Sequence, residues 1–139
     1  MRIIGLDVGT RTIGLAKSDL MGWTAQGVTT IRRRDEAWDV AEVKRYLDEL
    51  EAEQVMIGLP LNMNGTAGPS VEMARAFGEA LAAVTHVPIV YRDERLSTVA
   101  AERYLLEGDV SRKKRKQVID KMAAVFVLQG YLDYLANHQ

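Results

Sequence analysis

Residues 2–18, RIIGLDVGTRTIGLAKS, decide the fold. Residues 2–8 are almost all apolar, which suits a buried strand, and residues 12–18 alternate well enough to form its hairpin partner. The turn between the two strands is Gly-Thr-Arg, at positions 9–11. The chain is therefore expected to begin with an antiparallel hairpin that carries an acid, Asp7, near the end of its first strand.

A third strand and a helix are expected next along the chain. Residues 24–31 are predicted to be extended, and Asp35 stands where a helix N-cap is expected. The helix would bury one apolar face, which is made of Val40, Val43, Leu47 and Leu50.

The second half of the chain alternates strands and helices. Pro60 ends an apolar run, and Pro69 is a favourable first residue for a helix. The expected elements are a strand over 54–59, a helix from Pro69 with Met73, Phe77, Leu81 and Val84 facing inward, a strand over 88–91, a helix from Ser97 to Gly108 and a helix over 118–135. Three early strands followed by this alternation imply an α/β fold, with a meander at the edge of a mixed sheet and helices on its faces.

Size and composition fit a single domain over residues 1–139. With 139 residues, 47% of them hydrophobic, the chain can bury a substantial core but has no room for a second domain of ordinary size. No run approaches the roughly 18 apolar residues of a membrane span, and the first residues lack the features of a signal peptide. We therefore expect a soluble, cytoplasmic protein that makes no membrane contact. The absence of cysteine and the presence of only 2 histidines argue for oxygen ligands at any metal site.

Two acids stand at positions that look buried. Asp7 ends an apolar run, where an uncompensated charge would be costly, so it either hydrogen-bonds the turn at 9–11 or binds a metal. Asp120 shares a helix face with Ala123, Ala124, Val127 and Tyr131, which predicts that it points inward. A favourable position near the helix N-terminus is the alternative explanation for Asp120.

A third candidate acid lies in the segment from Tyr91 to Arg95. Strand alternation sends Asp93 and Glu94 to opposite faces, so only one of them can join a given cluster. Surface salt bridges are the alternative for both residues. Carboxylates gathered from separate segments repel one another unless a cation neutralises them, and hard oxygen ligands suit Mg²⁺ or Mn²⁺. Two such ions can activate water and stabilise the leaving oxygen of a phosphodiester.

Five consecutive cations precede the expected last helix, namely Arg112, Lys113, Lys114, Arg115 and Lys116. This run favours a polyanionic partner near Asp120, bound through its phosphates with little sequence specificity. A solvated basic linker is the alternative. A second cluster, at residues 32–34, adjoins Asp35 and Glu36, so phosphate binding and local solvation or pairing are equally good explanations for it.

Four separated motifs together resemble the YqgF family. They are GLDVGTRTIGLA at 5–16, GLPLNMNG at 58–65, DERLST at 93–98 and IDKMAAV at 119–125, and their order and spacing agree over essentially the full chain. The resemblance implies a ribonuclease H-like fold similar to that of the Holliday-junction resolvase RuvC. In that fold, an antiparallel meander of the first three strands joins two parallel strands in a five-stranded mixed sheet flanked by helices.

The resemblance also implies roles for individual residues. It assigns the catalytic and metal-binding acids to Asp7, Glu94 and Asp120, with Asp93 in reserve. The expected substrate contacts are Arg11, Asn62, Arg95 and Thr98, together with the five cations at 112–116. Helix capping by Ser97 or Thr98 and a strand exit shaped by Pro and Gly are alternatives for the motif positions.

The chain departs from the family pattern in one place and from the related resolvases in another. Asn64 stands where relatives often have Asp, so it is not an acidic ligand. Resolvase-like enzymes commonly carry an acid at the end of the strand that here ends in Gly58-Leu59-Pro60. The assignment of Glu94 therefore depends on substitution from the next strand.

The expected activity is hydrolysis of nucleic-acid phosphodiesters with Mg²⁺ or Mn²⁺. For members of this family the resemblance implies processing of the 5′ end of pre-16S ribosomal RNA. Resolution of four-way DNA junctions and a non-catalytic role in ribosome assembly are the alternatives. The expected partners are structured RNA, pre-ribosomal particles or branched DNA, and the protein is expected to be a monomer or a homodimer.

Overall fold

A computed structural model describes residues 1–60, 65, 67–93 and 112–137, with side chains of the last segment described from residue 122 onward. The chain forms β1 (Ile3–Val8), β2 (Thr12–Ser18), β3 (Ala25–Arg32), α1 (Glu36–Glu49), β4 (Gln54–Leu59), α2 (Pro69–Ala82), β5 (Ile89–Asp93) and α3 (Arg112–Asn137). The helix predicted from Ser97 to Gly108 lies outside the described residues.

The five strands form one mixed sheet in the order β3-β2-β1-β4-β5. The pairs β1–β2 and β2–β3 are antiparallel, whereas β1–β4 and β4–β5 are parallel. In this register Asp7 pairs with Gly14, and Gly14 in turn pairs with Thr30. The predicted meander joined to two parallel strands is confirmed.

Each face of the sheet is covered by helices, and strand alternation decides which residues face which helix. Leu6 and Val8 of β1 join the core beneath α1 and α2. Ile3, two residues before Gly5, joins a second cluster with Leu128 of α3. A Cβ on Gly5 would lie 2.8 Å from the Leu128 Cβ, so glycine is what allows α3 to pack closely on β1.

Most local signals in the sequence act as expected. Asp35 caps α1, because its Oδ1 accepts a hydrogen bond of 2.9 Å from the Trp38 backbone N–H. Pro69 is the first residue of α2. The prediction that Val84 faces inward was wrong: α2 ends at Ala82, and the Val84 side chain is 47% exposed.

The last helix begins earlier than predicted, at Arg112 rather than near residue 118. Arg and Lys are good helix formers, and their propensity continues the helix through the basic run. The run at 112–116 therefore forms the first turns of α3, which excludes a linker at these positions. No helix among the described residues is both long and apolar enough to cross a membrane.

Candidate active site

Asp7 is the penultimate residue of β1 and is half-buried on the sheet face that carries α3. Its cross-strand partner is Gly14, where a Cβ would lie 3.7 Å from the Asp7 Cβ and 3.3 Å from the Ala124 Cβ. Glycine at position 14 therefore allows α3 to pack closely where it meets β1 and β2. The Asp7 side chain lies beside this close contact.

The turn that follows Asp7 is held in place by Arg33. Within the turn, the Gly9 N–H donates a hydrogen bond of 2.8 Å to the Thr12 carbonyl. The Arg33 N–H donates to the Arg11 carbonyl at 2.8 Å, and the Arg33 Nη1 donates to the Gly9 carbonyl at 2.9 Å. Arg33, the residue that follows β3, thus fixes two backbone carbonyls of the turn.

Arg33 is itself oriented by a buried carboxylate, Asp39 of α1, which is only 1% exposed. The Arg33 Nε lies 2.9 Å from the Asp39 Oδ2, and the Arg34 N–H donates to the Asp39 Oδ1 at 2.9 Å. The guanidinium carbon of Arg33 also lies 5.5 Å from the centroid of the Phe77 ring. Because both carboxylate oxygens are paired, the buried charge is compensated.

This ion pair was not predicted from the sequence. The possible partners expected for the arginine cluster were Asp35 and Glu36, which are adjacent in sequence, whereas the buried partner is Asp39. A usable signal existed, because Asp39 lies four residues before Val43 and therefore on the apolar face of α1. Asp39 thus carries the same signal as Asp120, an acid on the apolar face of a helix.

The backbone position of Asp120 is that of a residue well inside α3. Because the helix begins at Arg112, residue 120 lies more than two turns beyond its start. The interaction with a helix N-terminus is confined to the first turn, so that alternative explanation of Asp120 was wrong. The side chain of Asp120 lies outside the described residues.

The direction of α3 brings its first half toward the end of β1 that carries Asp7. Leu128 packs on Gly5, and Ala124 packs at Gly14, which is the strand partner of Asp7. Residue 120 precedes Ala124 by one turn, or about 6 Å along the helix axis. The helix backbone therefore continues past Gly14 in the direction in which β1 ends.

The candidates for the third acid are Asp93 and Glu94, and the end of β5 shows which face of the sheet Asp93 occupies. Val90 belongs to the cluster beneath α3, and the Arg92 guanidinium carbon lies 5.1 Å from the Tyr134 ring centroid of the same helix. Strand alternation then puts Asp93 on the opposite face from Asp7. Asp93 is exposed, and its strand partner is Leu59 at the end of β4.

Several predicted site residues lie outside the described part of the chain. They are Asn62, Glu94, Arg95 and Thr98, together with the side chains of Asp120 and of the five cations at 112–116. Arg11 is described and is exposed in the β1–β2 turn. Among the described residues, no group of three or more acidic, histidine or cysteine side chains could hold a metal ion.

The sheet order and the packing of α3 define the fold class of the protein, the RuvC-like fold. The fold resembles that of Thermus thermophilus RuvC with a TM-score of 0.63 and 14% identity, covering 99% of this chain and 97% of that one. It also resembles the same enzyme in complex with a Holliday junction (TM-score 0.60, 14% identity, 95% and 93% coverage). The fowlpox virus Holliday junction resolvase gives a TM-score of 0.56 at 16% identity, with 97% and 99% coverage.

The family model described as RuvX, Holliday junction resolvase, matches residues 1–134. The chain therefore belongs to this family, which is the YqgF family predicted from the four motifs. A relative from Moorella thermoacetica is 56% identical over 138 residues, covering 99% of each chain. Another from Clostridium beijerinckii is 53% identical over 137 residues, again covering 99% of each. Both are named as candidate pre-16S rRNA nucleases, and the predicted class, a phosphodiester hydrolase, is confirmed.

Proposed function

We propose that this protein uses Mg²⁺ or Mn²⁺ to process the 5′ end of pre-16S ribosomal RNA. The observation that carries the proposal is the position of Asp7, half-buried at the end of β1 where Gly14 and Ala124 meet. The names of the relatives from Moorella thermoacetica and Clostridium beijerinckii support RNA as the substrate. The protein would act in the cytoplasm, where that RNA is made in a bacterium, as a single domain and as either a monomer or a homodimer.

We propose Asp7, Glu94 and Asp120 as the residues that bind the metal. Asp7 is a hard oxygen donor where α3 packs closely on Gly14, and α3 brings residue 120 toward the same end of β1. When bound, the divalent metal would lower the pKa of a water molecule and neutralise charge on the reacting phosphate. The contribution of the chain is to hold the carboxylates in place, which the Arg33 contacts to the turn after Asp7 support.

Glu94 is preferred to Asp93 because of strand alternation. Asp93 lies on the face opposite to Asp7, so a carboxylate that joins Asp7 is better supplied by the next residue. For Asp93 to bind the metal instead, the end of β5 would have to twist so that the Asp93 side chain lies on the same face of the sheet as Asp7.

Substrate binding is proposed for Arg11 and for the five cations that begin α3. Cations at the start of a helix oppose its dipole and repel one another, so this charge is not explained by helix stability. It suits phosphates, which can occupy the positive end of a helix dipole. Asn62, Arg95 and Thr98 would add contacts near the scissile bond, with Arg95 and Thr98 orienting a phosphate or a carboxylate.

The test is a cleavage assay with matched substrates. Purified protein is incubated with Mn²⁺ or Mg²⁺ and a pre-16S RNA fragment that includes the mature 5′ end, an unrelated structured RNA, single-stranded RNA or a four-way DNA junction. We expect cleavage at the mature 5′ end, absent in the Asp7→Asn variant. Junction cleavage with intact RNA would favour the resolvase activity that the family description and the RuvC-like fold suggest. Binding to RNA without any cleavage would instead identify an assembly factor.

A further inference from the structure

An open groove of about 780 Å³ lies next to the turn that follows Asp7. Its walls come from that turn, from the paired ends of β2 and β3, and from the start of α1. The polar residues that line it include Thr10, Arg11, Thr12, Thr30, Arg32 and Arg34.

The groove carries an excess of positive charge. Within the described part of the chain, Arg11 and Arg32 make no ion pair. Arg34 makes none either, but its guanidinium carbon lies 4.2 Å from the Trp38 ring centroid, which holds it over the ring. The acids of the groove are Asp39, which is neutralised by Arg33, and the exposed Glu36. Three arginines thus face one uncompensated carboxylate.

The groove lies at the strand ends beside the β1–β2 turn, where Arg34 reaches it from the α1 side and Thr30 and Arg32 reach it from the face of Asp7. Ile31 is buried beneath α1 and α2, so its neighbours Thr30 and Arg32 lie on the face of α3 and Asp7. Asp7, Gly14 and Thr30 form one row across three strands, and two strand spacings put Thr30 roughly 10 Å from Asp7. A nucleic-acid strand bound at Asp7 reaches this edge of the sheet within a few nucleotides.

We propose that Arg11, Arg32 and Arg34 form a second binding surface for the sugar-phosphate backbone, separate from the cations at 112–116. It holds the part of the substrate that flanks the scissile phosphate on the β3 side. Exposed guanidinium groups can grip phosphate oxygens bidentately, and threonine hydroxyls add neutral contacts along the same path. The inference rests on the proposed function, because it takes Asp7 as the point where the substrate strand is cut.

The test measures binding by the inactive Asp7→Asn protein, so that cleavage does not enter the result. Fluorescence anisotropy is recorded with a labelled RNA stem-loop that has single-stranded tails and with a labelled four-way DNA junction, at several salt concentrations. Arg32→Gln/Arg34→Gln is compared with Lys44→Gln/Arg45→Gln, which removes the same charge from the exposed side of α1. Thermal unfolding checks the fold of each variant, and Arg32→Gln alone is used if the double variant unfolds, because this side chain is exposed and makes no ion pair in the described part of the chain.

We expect the groove variant to bind about tenfold more weakly than the control, with the slope of log K against log salt concentration reduced by about one to two. An affinity and a slope equal to those of the control would overturn the proposal, even if the protein with Asp7 intact cleaves RNA. Weaker binding by the groove variant together with no cleavage by the protein would support the groove and reject the proposed nuclease function.

Discussion

Arg33 and Asp39 form a buried ion pair, with 2.9 Å between Nε and Oδ2, and the same guanidinium donates a hydrogen bond to Gly9 in the turn after Asp7. The pair therefore connects the interior of α1 to the backbone beside the candidate active site. A buried ion pair contributes little net stability compared with apolar residues, but it is costly to break. The role of the Arg33–Asp39 pair is to fix the position of the turn that follows Asp7.

Removing one partner of this pair should destabilise the protein strongly. Asp39→Ala leaves the Arg33 charge largely buried, so we expect the free energy of unfolding to fall by about 3–5 kcal/mol. Urea unfolding measures the change. The control is Asp48→Ala, which removes an exposed carboxylate paired with Lys44 on the same helix and should cost less than about 1 kcal/mol. Equal losses in the two variants would contradict the cost assigned here to leaving Arg33 buried without its partner.

The contact between β1 and α3 predicts opposite effects of the same substitution at two glycines. A Cβ on Gly5 would lie 2.8 Å from the Leu128 Cβ, so Gly5→Ala forces the helix away and should cost about 1–3 kcal/mol. Gly130 is a helical residue with nothing within 4 Å of an added Cβ, so Gly130→Ala should stabilise by about 0.5–1 kcal/mol. Thermal and urea unfolding check both variants. A Gly5→Ala protein as stable as the parent would contradict the close packing of α3.

The turn between β2 and β3 predicts a pH dependence of stability. The Asp19 Oδ1 accepts a hydrogen bond of 2.7 Å from the Trp23 N–H, and the Thr24 hydroxyl donates to Oδ2 at 3.1 Å. The Trp23 bond is the largest cause of a pKa of Asp19 that is lowered from its ordinary value of 3.8. A lowered pKa in the folded state contributes stability that is present above pH 3.8 and is lost as the pH falls through the folded-state pKa.

We therefore expect Asp19→Asn to lose less stability than the parent protein as the pH is lowered from about 5 into this range. Urea unfolding at a series of pH values measures the difference, and an NMR titration of the Asp19 carboxyl gives its pKa directly. Parallel stability curves for the two proteins would show that the turn does not depend on the charged carboxylate.

Local patterns in the sequence predicted the fold because each acts over a few residues. The apolar run of β1, the cap at Asp35 and the helix start at Pro69 require no knowledge of distant contacts. The pairing of Arg33 with Asp39 was not predicted because Asp35 and Glu36, adjacent in sequence, are equally simple local partners. The start of α3 was not predicted because a run of cations is typical of a solvated linker, although Arg and Lys also favour a helix.

The candidate site was predictable to a smaller extent. Burial reasoning identified Asp7 and Asp120 as unusual, but only the packing of α3 shows which end of β1 the helix approaches. The groove beside Arg32 and Arg34 depends on how three strands align, and a single sequence does not reveal which residues share a row. Charged clusters are therefore visible in the sequence, whereas the surface that they form together is visible only in the structure.

Strand alternation at the end of β5 predicts that the adjacent acids Asp93 and Glu94 differ in function. Asp93 is exposed on the face opposite to Asp7, so Asp93→Asn should retain most of the cleavage activity and of the rise in melting temperature that we expect Mn²⁺ to cause in the parent protein. Glu94→Gln and Asp7→Asn should each reduce cleavage by about a hundredfold or more and abolish that rise, because each removes a proposed metal ligand. Circular dichroism checks that all three variants are folded without metal. The reverse result, with Asp93→Asn inactive and Glu94→Gln active, would mean that Asp93 is the metal ligand. The end of β5 would then have to twist after Arg92 so that Asp93 lies on the same face as Asp7.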